Sequence, residues 1–165
     1  MKNRFLMIVV VAFTLFIVSC SKVINTTYTN LNKNSVYVVL PFENFTETPM
    51  AGLRVASIAE GVATAKGYRV KNGIYERENK EYSKQEIDAL IDKLKDSQID
   101  YVITGSVNEY RYKTGIDGEP AVSITLKIYD LKNGKTVLTN VGSMTGWSNE
   151  SIGTVAQKLI NKLIP

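Results

Sequence analysis

The chain has 165 residues, 44% of them hydrophobic and 22% charged, which is enough for one domain around one core. It has no histidine and one cysteine, so Ser/His/Asp and Cys/His nucleophile systems and histidine-based metal sites are excluded by composition. The formal charge of +4 includes Lys2 and Arg4; without them 18 basic side chains stand against 16 acidic ones, a net of +2 with no block of like charge, and a nucleic-acid footprint is not indicated.

The first residues read as a targeting segment. Lys2 and Arg4 form a short basic region, followed by an apolar run over residues 5–18, the length of a signal-peptide core and short for a membrane span. Ile17, Val18, Ser19 and Cys20 then match the bacterial lipobox, in which the cysteine thiol receives a diacylglycerol and becomes the acylated amino terminus. The alternative is an ordinary secretory leader that happens to contain a cysteine. Cys20 is the lone cysteine, so the chain can form no internal disulfide. The expected organisation is a signal peptide over 1–19, a lipidated Cys20 with a tether over 20–34, and a folded domain over 35–165. Several acyl chains hold a protein on a bilayer far better than one. Ser21 after the cysteine favours the outer membrane, since inner-membrane retention usually needs Asp there. The stretch over 21–34 is polar, Asn- and Thr-rich and aperiodic, the composition of a linker.

The folded part opens with VYVVLPF, 36–42, a continuous apolar run that predicts a buried strand. Thr48 and Pro49 predict an N-cap and first helical residue, with the helix stopping at Gly67. A short strand follows at 68–70. Ser83 opens a second helix carrying Ile87, Leu90, Ile91 and Leu94 on one stripe. Two long strands, 100–113 and 119–130, flank a turn over 114–118; in the second, Val122, Ile124, Leu126 and Ile128 alternate with polar residues. Asn133-Gly134 is a strong hairpin signal leading to a strand over 135–146. A last helix over 149–163 carries Ile152, Val155, Ala156, Leu159 and Leu163, with Ser148 as a candidate N-cap. The order β-α-β-α-β-β-β-α predicts a single-domain α/β sandwich with a mixed sheet, helices on one face and an antiparallel meander at one end.

Residue chemistry points away from catalysis. No phosphate-binding glycine loop is present. Glu43 with Glu47, and Asp117 with Glu119, are carboxylate pairs that could serve acid–base work, or equally be solvated turn residues. Tyr110 and Tyr112 lie two apart on one strand, a pair that can bind sugar or pack across a sheet. The expectation is a non-enzyme without cofactor or metal. Trp147, the single tryptophan, falls just before the last helix, where it can either plug the core or be held outward.

The segment LPFENFTETPMAG, 40–52, followed by a helix, resembles the opening of periplasmic lipoproteins related to CsgG and LpoB, with a TolB-N-terminal-like fold. ETPMAGLR, together with YRYKTGIDGEPAVSITLKIYD (110–130) and TGWSNES (145–151), looks most like the PelC family, outer-membrane lipoproteins of Pel exopolysaccharide export. The resemblance covers about 36–164. It implies a ring, a dodecamer, beneath the outer membrane, working with PelB, a β-barrel attached to a periplasmic repeat scaffold. It also implies that Trp147 joins an aromatic belt facing the membrane, and that Asp117 and Glu119 contribute to an acidic surface guiding a cationic, partly deacetylated amino-sugar polymer. An indole suits the headgroup boundary, and a ring of carboxylates can concentrate a polycation. Arg111 and Lys113 lie close enough to offset that field.

Two functional classes stand at this point. One is a non-catalytic, lipid-anchored export ring; the other is an LpoB-like monomer that crosses the periplasm to activate a peptidoglycan synthase. A tether of about 14 residues spans at most roughly 45–50 Å, which favours a domain held at the membrane. A CsgG-like pore would need extra amphipathic strands that the sequence does not supply.

Overall fold

The computed structural model describes residues 21–25, 31–76, 80–95, 97–113 and 118–165. The signal peptide, Cys20 and Asp117 lie outside the described residues. Among the described residues six strands form one sheet: β1 (Ser21–Asn25), β2 (Val36–Asn44), β3 (Arg69–Lys71), β4 (Tyr101–Tyr112), β5 (Pro120–Asp130) and β6 (Lys135–Thr145). The helices among the described residues are α1 (Ala51–Ala65), α2 (Lys84–Leu94) and α3 (Ile152–Leu163). The spatial order is β1-β6-β5-β4-β2-β3. β2 runs parallel to both β3 and β4, and β4, β5, β6 and β1 are antiparallel neighbours. The mixed α/β sandwich with its terminal meander is therefore the observed architecture.

Two features differ from the sequence expectation. The helices do not share one face. α1 connects β2 to β3 in one lateral direction, and α2 connects β3 back past β2 to β4 in the other. Crossovers of one hand in opposite directions place their helices on opposite faces of the sheet. β2 is apolar on both sides for this reason: Tyr37, Val39 and Phe42 enter the core with α1 and α3, whereas Val38 and Leu40 meet Ile87, Leu90 and Leu94 of α2. A continuous apolar run marks burial on two faces but does not say which helix covers which.

The second difference is β1. Residues 21–25, expected as linker, form an edge strand antiparallel to β6, with Ser21 opposite Met144 and Ile24 opposite Val141. Val23 packs against the main core beside Gly142. One partly buried apolar contact gives this strand little signal in the sequence; pairing with a long neighbour supplies the rest.

Helix entries also differ in detail. Met50, not Thr48, is the N-cap of α1, in a left-handed conformation with φ 61° and no side-chain cap. The Glu81 carboxylate accepts from the Met50 N–H and from Asn44 Nδ2, and Thr48 Oγ1 donates to the Tyr110 carbonyl. The turn before α1 is thereby tied to two other elements, which holds a costly backbone conformation in place. α2 has the expected start: Ser83 accepts from the Glu86 N–H, and the Glu86 carboxylate accepts from the Ser83 N–H at 3.0 Å, a capping box. α3 begins at Ser151, whose hydroxyl accepts from the Thr154 N–H at 3.1 Å, three residues after the Ser148 expected from sequence.

Candidate functional site

β4 ends, and β5 and β1 begin, at the same end of the sheet as the end of β6. This end gathers Ser21, Tyr112, Lys113, Glu119, Gly146, Trp147 and the start of α3. Its geometry follows from a close approach. The Gly146 N–H donates to the Pro120 carbonyl at 2.8 Å, and a Cβ at Gly146 would stand 2.4 Å from Val155 Cγ2 and 3.0 Å from Pro120 Cγ. Glycine is needed there for the chain to pass between β5 and α3.

The turn that follows is closed on itself. The Trp147 N–H donates to Glu150 Oε2 at 3.0 Å, and the Glu150 N–H donates to the Trp147 carbonyl at 2.9 Å. Lys158, two turns into α3, pairs with the other Glu150 oxygen. That lysine first, and the Trp147 N–H second, hold the Glu150 carboxyl below its ordinary range. The indole itself remains 48% exposed. A tryptophan plugging the core is therefore not what the fold uses. α3 is pinned to the sheet by Val155, Ala156, Leu159 and Ile160, all fully buried. The sequence signal for the lock was present in W-x-x-E, residues 147–150, but a glutamate three residues on reads as a cap only once the turn is known.

Of the tyrosine pair, Tyr110 is buried in the main core and Tyr112 is exposed, with its hydroxyl accepting from the Ile152 N–H at 3.1 Å. Tyr112 thus ties β4 to the first turn of α3. Glu119 stands on the same end of the sheet, beside Lys113: their side chains are 3.9 Å apart, and the Lys113 N–H donates to the Glu119 carbonyl at 2.7 Å. Arg111 pairs with Glu109 at 3.0 Å. The structure brings Trp147 and Glu119 to one end of the sheet but partners the glutamate with a cation. The sheet turn holding Asp117 is outside the described residues, as is Cys20, whose chain neighbour Ser21 accepts from Lys162 Nζ at 2.6 Å.

A groove of about 590 Å³ lies on the opposite face between α2 and the sheet, lined by Glu43, Phe45, Ile91, Lys127 and Tyr129 among others. Its acidic residues on α2 are engaged: Asp88 pairs with Lys84 at 2.9 Å and Asp92 with Lys95 at 2.7 Å. Glu47, the partner proposed for Glu43, does not line it. Among the described residues no group of three or more Cys, Asp or Glu side chains is placed to hold a metal ion, and no helix is long and apolar enough to cross a membrane.

No family model and no curated protein matches the chain. Solved structures do. A dodecamer of a point-substituted PelC from Paraburkholderia phytofirmans is 32% identical, with a TM-score of 0.75, over 88% of this chain and 96% of that one. A second PelC dodecamer structure from the same organism is 33% identical, with a TM-score of 0.72, over 87% of this chain and 96% of the other. Lipoprotein GNA1162 from Neisseria meningitidis, at 23% identity, a TM-score of 0.57 and coverage of 78% and 96%, shares the fold. Identity above 30% across nearly the whole of the relatives, on one topology, leads to the conclusion that this chain belongs to the PelC family.

Proposed function

We propose that the protein is a lipid-anchored, ring-forming component of an outer-membrane exopolysaccharide export apparatus of the Pel type, acting without catalysis at the periplasmic face. The observation that carries this reading is the near-complete structural match to two PelC dodecamers. The end of the sheet supports an orientation. Ser21, the residue after the lipidation candidate Cys20, pairs with Met144, and Trp147 is displayed three residues further along. Acyl chains on Cys20 and the indole of Trp147 then address the same bilayer, the lipid supplying affinity and the indole fixing tilt at the headgroup boundary.

In this reading the cationic polymer passes through the ring toward a PelB-like channel partner, guided by Asp117 and Glu119. Pairing with Lys113 leaves Glu119 a weak contributor to that guidance. The alternative, a monomeric LpoB-like activator, needs a long free linker. Docking of residues 21–25 as β1 shortens the reach available to the domain and supports the membrane-held reading.

The test is the molar mass of the full lipidated chain in detergent, by light scattering over a range of concentrations. A closed oligomer of constant mass is expected. A monomer at every concentration, unchanged on lipid vesicles, would refute the ring and leave the regulatory lipoprotein.

A further inference from the structure

A ring is built from a heterologous contact, in which two different patches on opposite sides of one subunit meet copy after copy. The sheet has two edges, β1 and β3, at opposite sides of the molecule. Each carries exposed apolar side chains away from the end that holds Trp147. At the β1 edge, Ile24 and Val141 are directly paired across the ladder and are 65% and 38% exposed. Just beyond β3, Ile74 is 51% exposed.

The surface around Ile24 and Val141 is the sheet face that α2 leaves uncovered. A cross-strand row runs from Ser106 through Thr125 and Val141 to Ile24. From Ser106 to Ile24 that row carries no charge; beyond Ser106 it reaches Glu43 of β2, and one row away on either side stand Lys127 and Lys22, the latter in a row that also holds Glu109. A hydroxyl-bearing surface with a β-branched apolar pair at its edge and charges of both signs at its margin has the make-up of an interface core with a polar rim. The Thr125, Val141 and Ile24 part of it can be covered without stripping water from a charge. β1 is also an edge strand with a neighbour on one side only, among the described residues, and such edges are normally protected. Gly73, next to Ile74, approaches the Val39 carbonyl. Val39 lies on the ladder with Ile103, and Ser106 of the Val141 row lies on the same strand as Ile103. The two patches therefore lie at opposite edges of the sheet, with the Val39 level three residues, about 10 Å, from the Val141 row along β4.

We propose, building on the ring reading, that neighbouring copies of this chain meet through the open face at the β1–β6 edge of one copy, with Ile24 and Val141, and the loop after β3 of the next, with Ile74. The occupant of the open face is a second copy of this chain, seated side by side so that every copy turns its Trp147 end the same way.

Cysteine pairing in the full lipidated chain tests this, with the unsubstituted chain and its lone Cys20 as control. Val141→Cys and Ile74→Cys are made singly and together and cross-linked in membranes by oxidation or by a short bis-maleimide. The doubly substituted chain is expected to give a ladder extending beyond dimer; each single variant gives monomer, and a mixture of the two singles stops at dimer. Ile24→Cys with Ile74→Cys repeats the measurement from the adjacent strand. Dimer from either single variant alone would overturn the proposal, because it marks a face-to-face contact. Light scattering of the same samples separates the two levels of argument. An intact oligomer without a ladder overturns this surface and leaves the ring; a monomeric unsubstituted chain overturns both. Val141→Arg is expected to convert the oligomer to monomer with an unchanged circular dichroism spectrum, and persistence of the oligomer would count against the proposal.

Discussion

Ser21 of β1 stands opposite Met144 of β6, so the amino-terminal end of the described chain and the turn displaying Trp147 share one end of the sheet. The link depends on β1 being docked. Replacing Val23 by Asp places a carboxylate against the core under α3, where Val23 packs beside Gly142, and is expected to lower stability by about 1–3 kcal/mol. Hydrogen exchange is the sharper check: the β1 amides that pair with β6 should be protected in the native chain and lose that protection in the variant. Random-coil exchange in the native chain would show that the strand is not docked.

Trp147 is held by its backbone and offered by its side chain. Trp147→Ala should change the unfolding free energy by less than about 1 kcal/mol, because the indole is largely outside the core. The same change should weaken binding of the lipidated chain to vesicles. Glu150→Gln, which loosens the turn while keeping the indole, should weaken it less. Equal vesicle binding by all three proteins would remove the membrane role of the indole.

Core positions should respond in the opposite sense. Leu126 is fully buried at the centre of β5, and Leu126→Ala is expected to cost about 2–5 kcal/mol in denaturant unfolding. Gly52 is constrained differently: a Cβ there would lie 1.9 Å from the Phe42 carbonyl oxygen, so α1 can seat on β2 only without a side chain. Gly52→Ala should therefore destabilise by about 3 kcal/mol or more although it adds a better helix former. A neutral or stabilising Gly52→Ala would mean that α1 sits further from β2 than described.

The pH dependence has two limbs. The Glu86 carboxyl is pulled down to about 2, first by the Ser83 N–H and then by Lys80. Its folded value is depressed, so its contribution is present above its ordinary value of 4.5 and is lost as pH falls from there toward about 2. Glu86→Gln should flatten that acid limb of a stability profile. At the other extreme, burial first and the neighbouring Tyr68 second push the Tyr37 hydroxyl well above its ordinary 10.0. A raised folded value means stability is full below that pH and falls as pH rises above it, because the unfolded chain ionises first. Alkaline unfolding followed by tyrosinate absorbance should shift to higher pH in Tyr37→Phe. An unshifted transition would assign it to other groups.

The strands that read most clearly were those whose burial is one-sided. Val122, Ile124, Leu126 and Ile128 alternate with polar residues, and all four are buried as that alternation requires. Ser83 identified the start of α2, and the capping box with Glu86 that the structure shows there is a contact within four residues. Met50 could not be identified that way: its left-handed backbone is held by Glu81, thirty-one residues away, and Thr48 is drawn off to Tyr110.

By itself the sequence determined the class of fold, the lack of histidine chemistry, the lipidation candidate Cys20 and the resemblance that the structural relatives support. These are matters of composition, of local periodicity and of short motifs, where each residue's neighbours along the chain decide the outcome. Only the tertiary structure decided that α2 covers the far face, that residues 21–25 form an edge strand, and that Trp147 is exposed on the end where that strand begins. Each of these depends on which distant segment lies alongside, and that is set by crossover direction and strand pairing across the sheet.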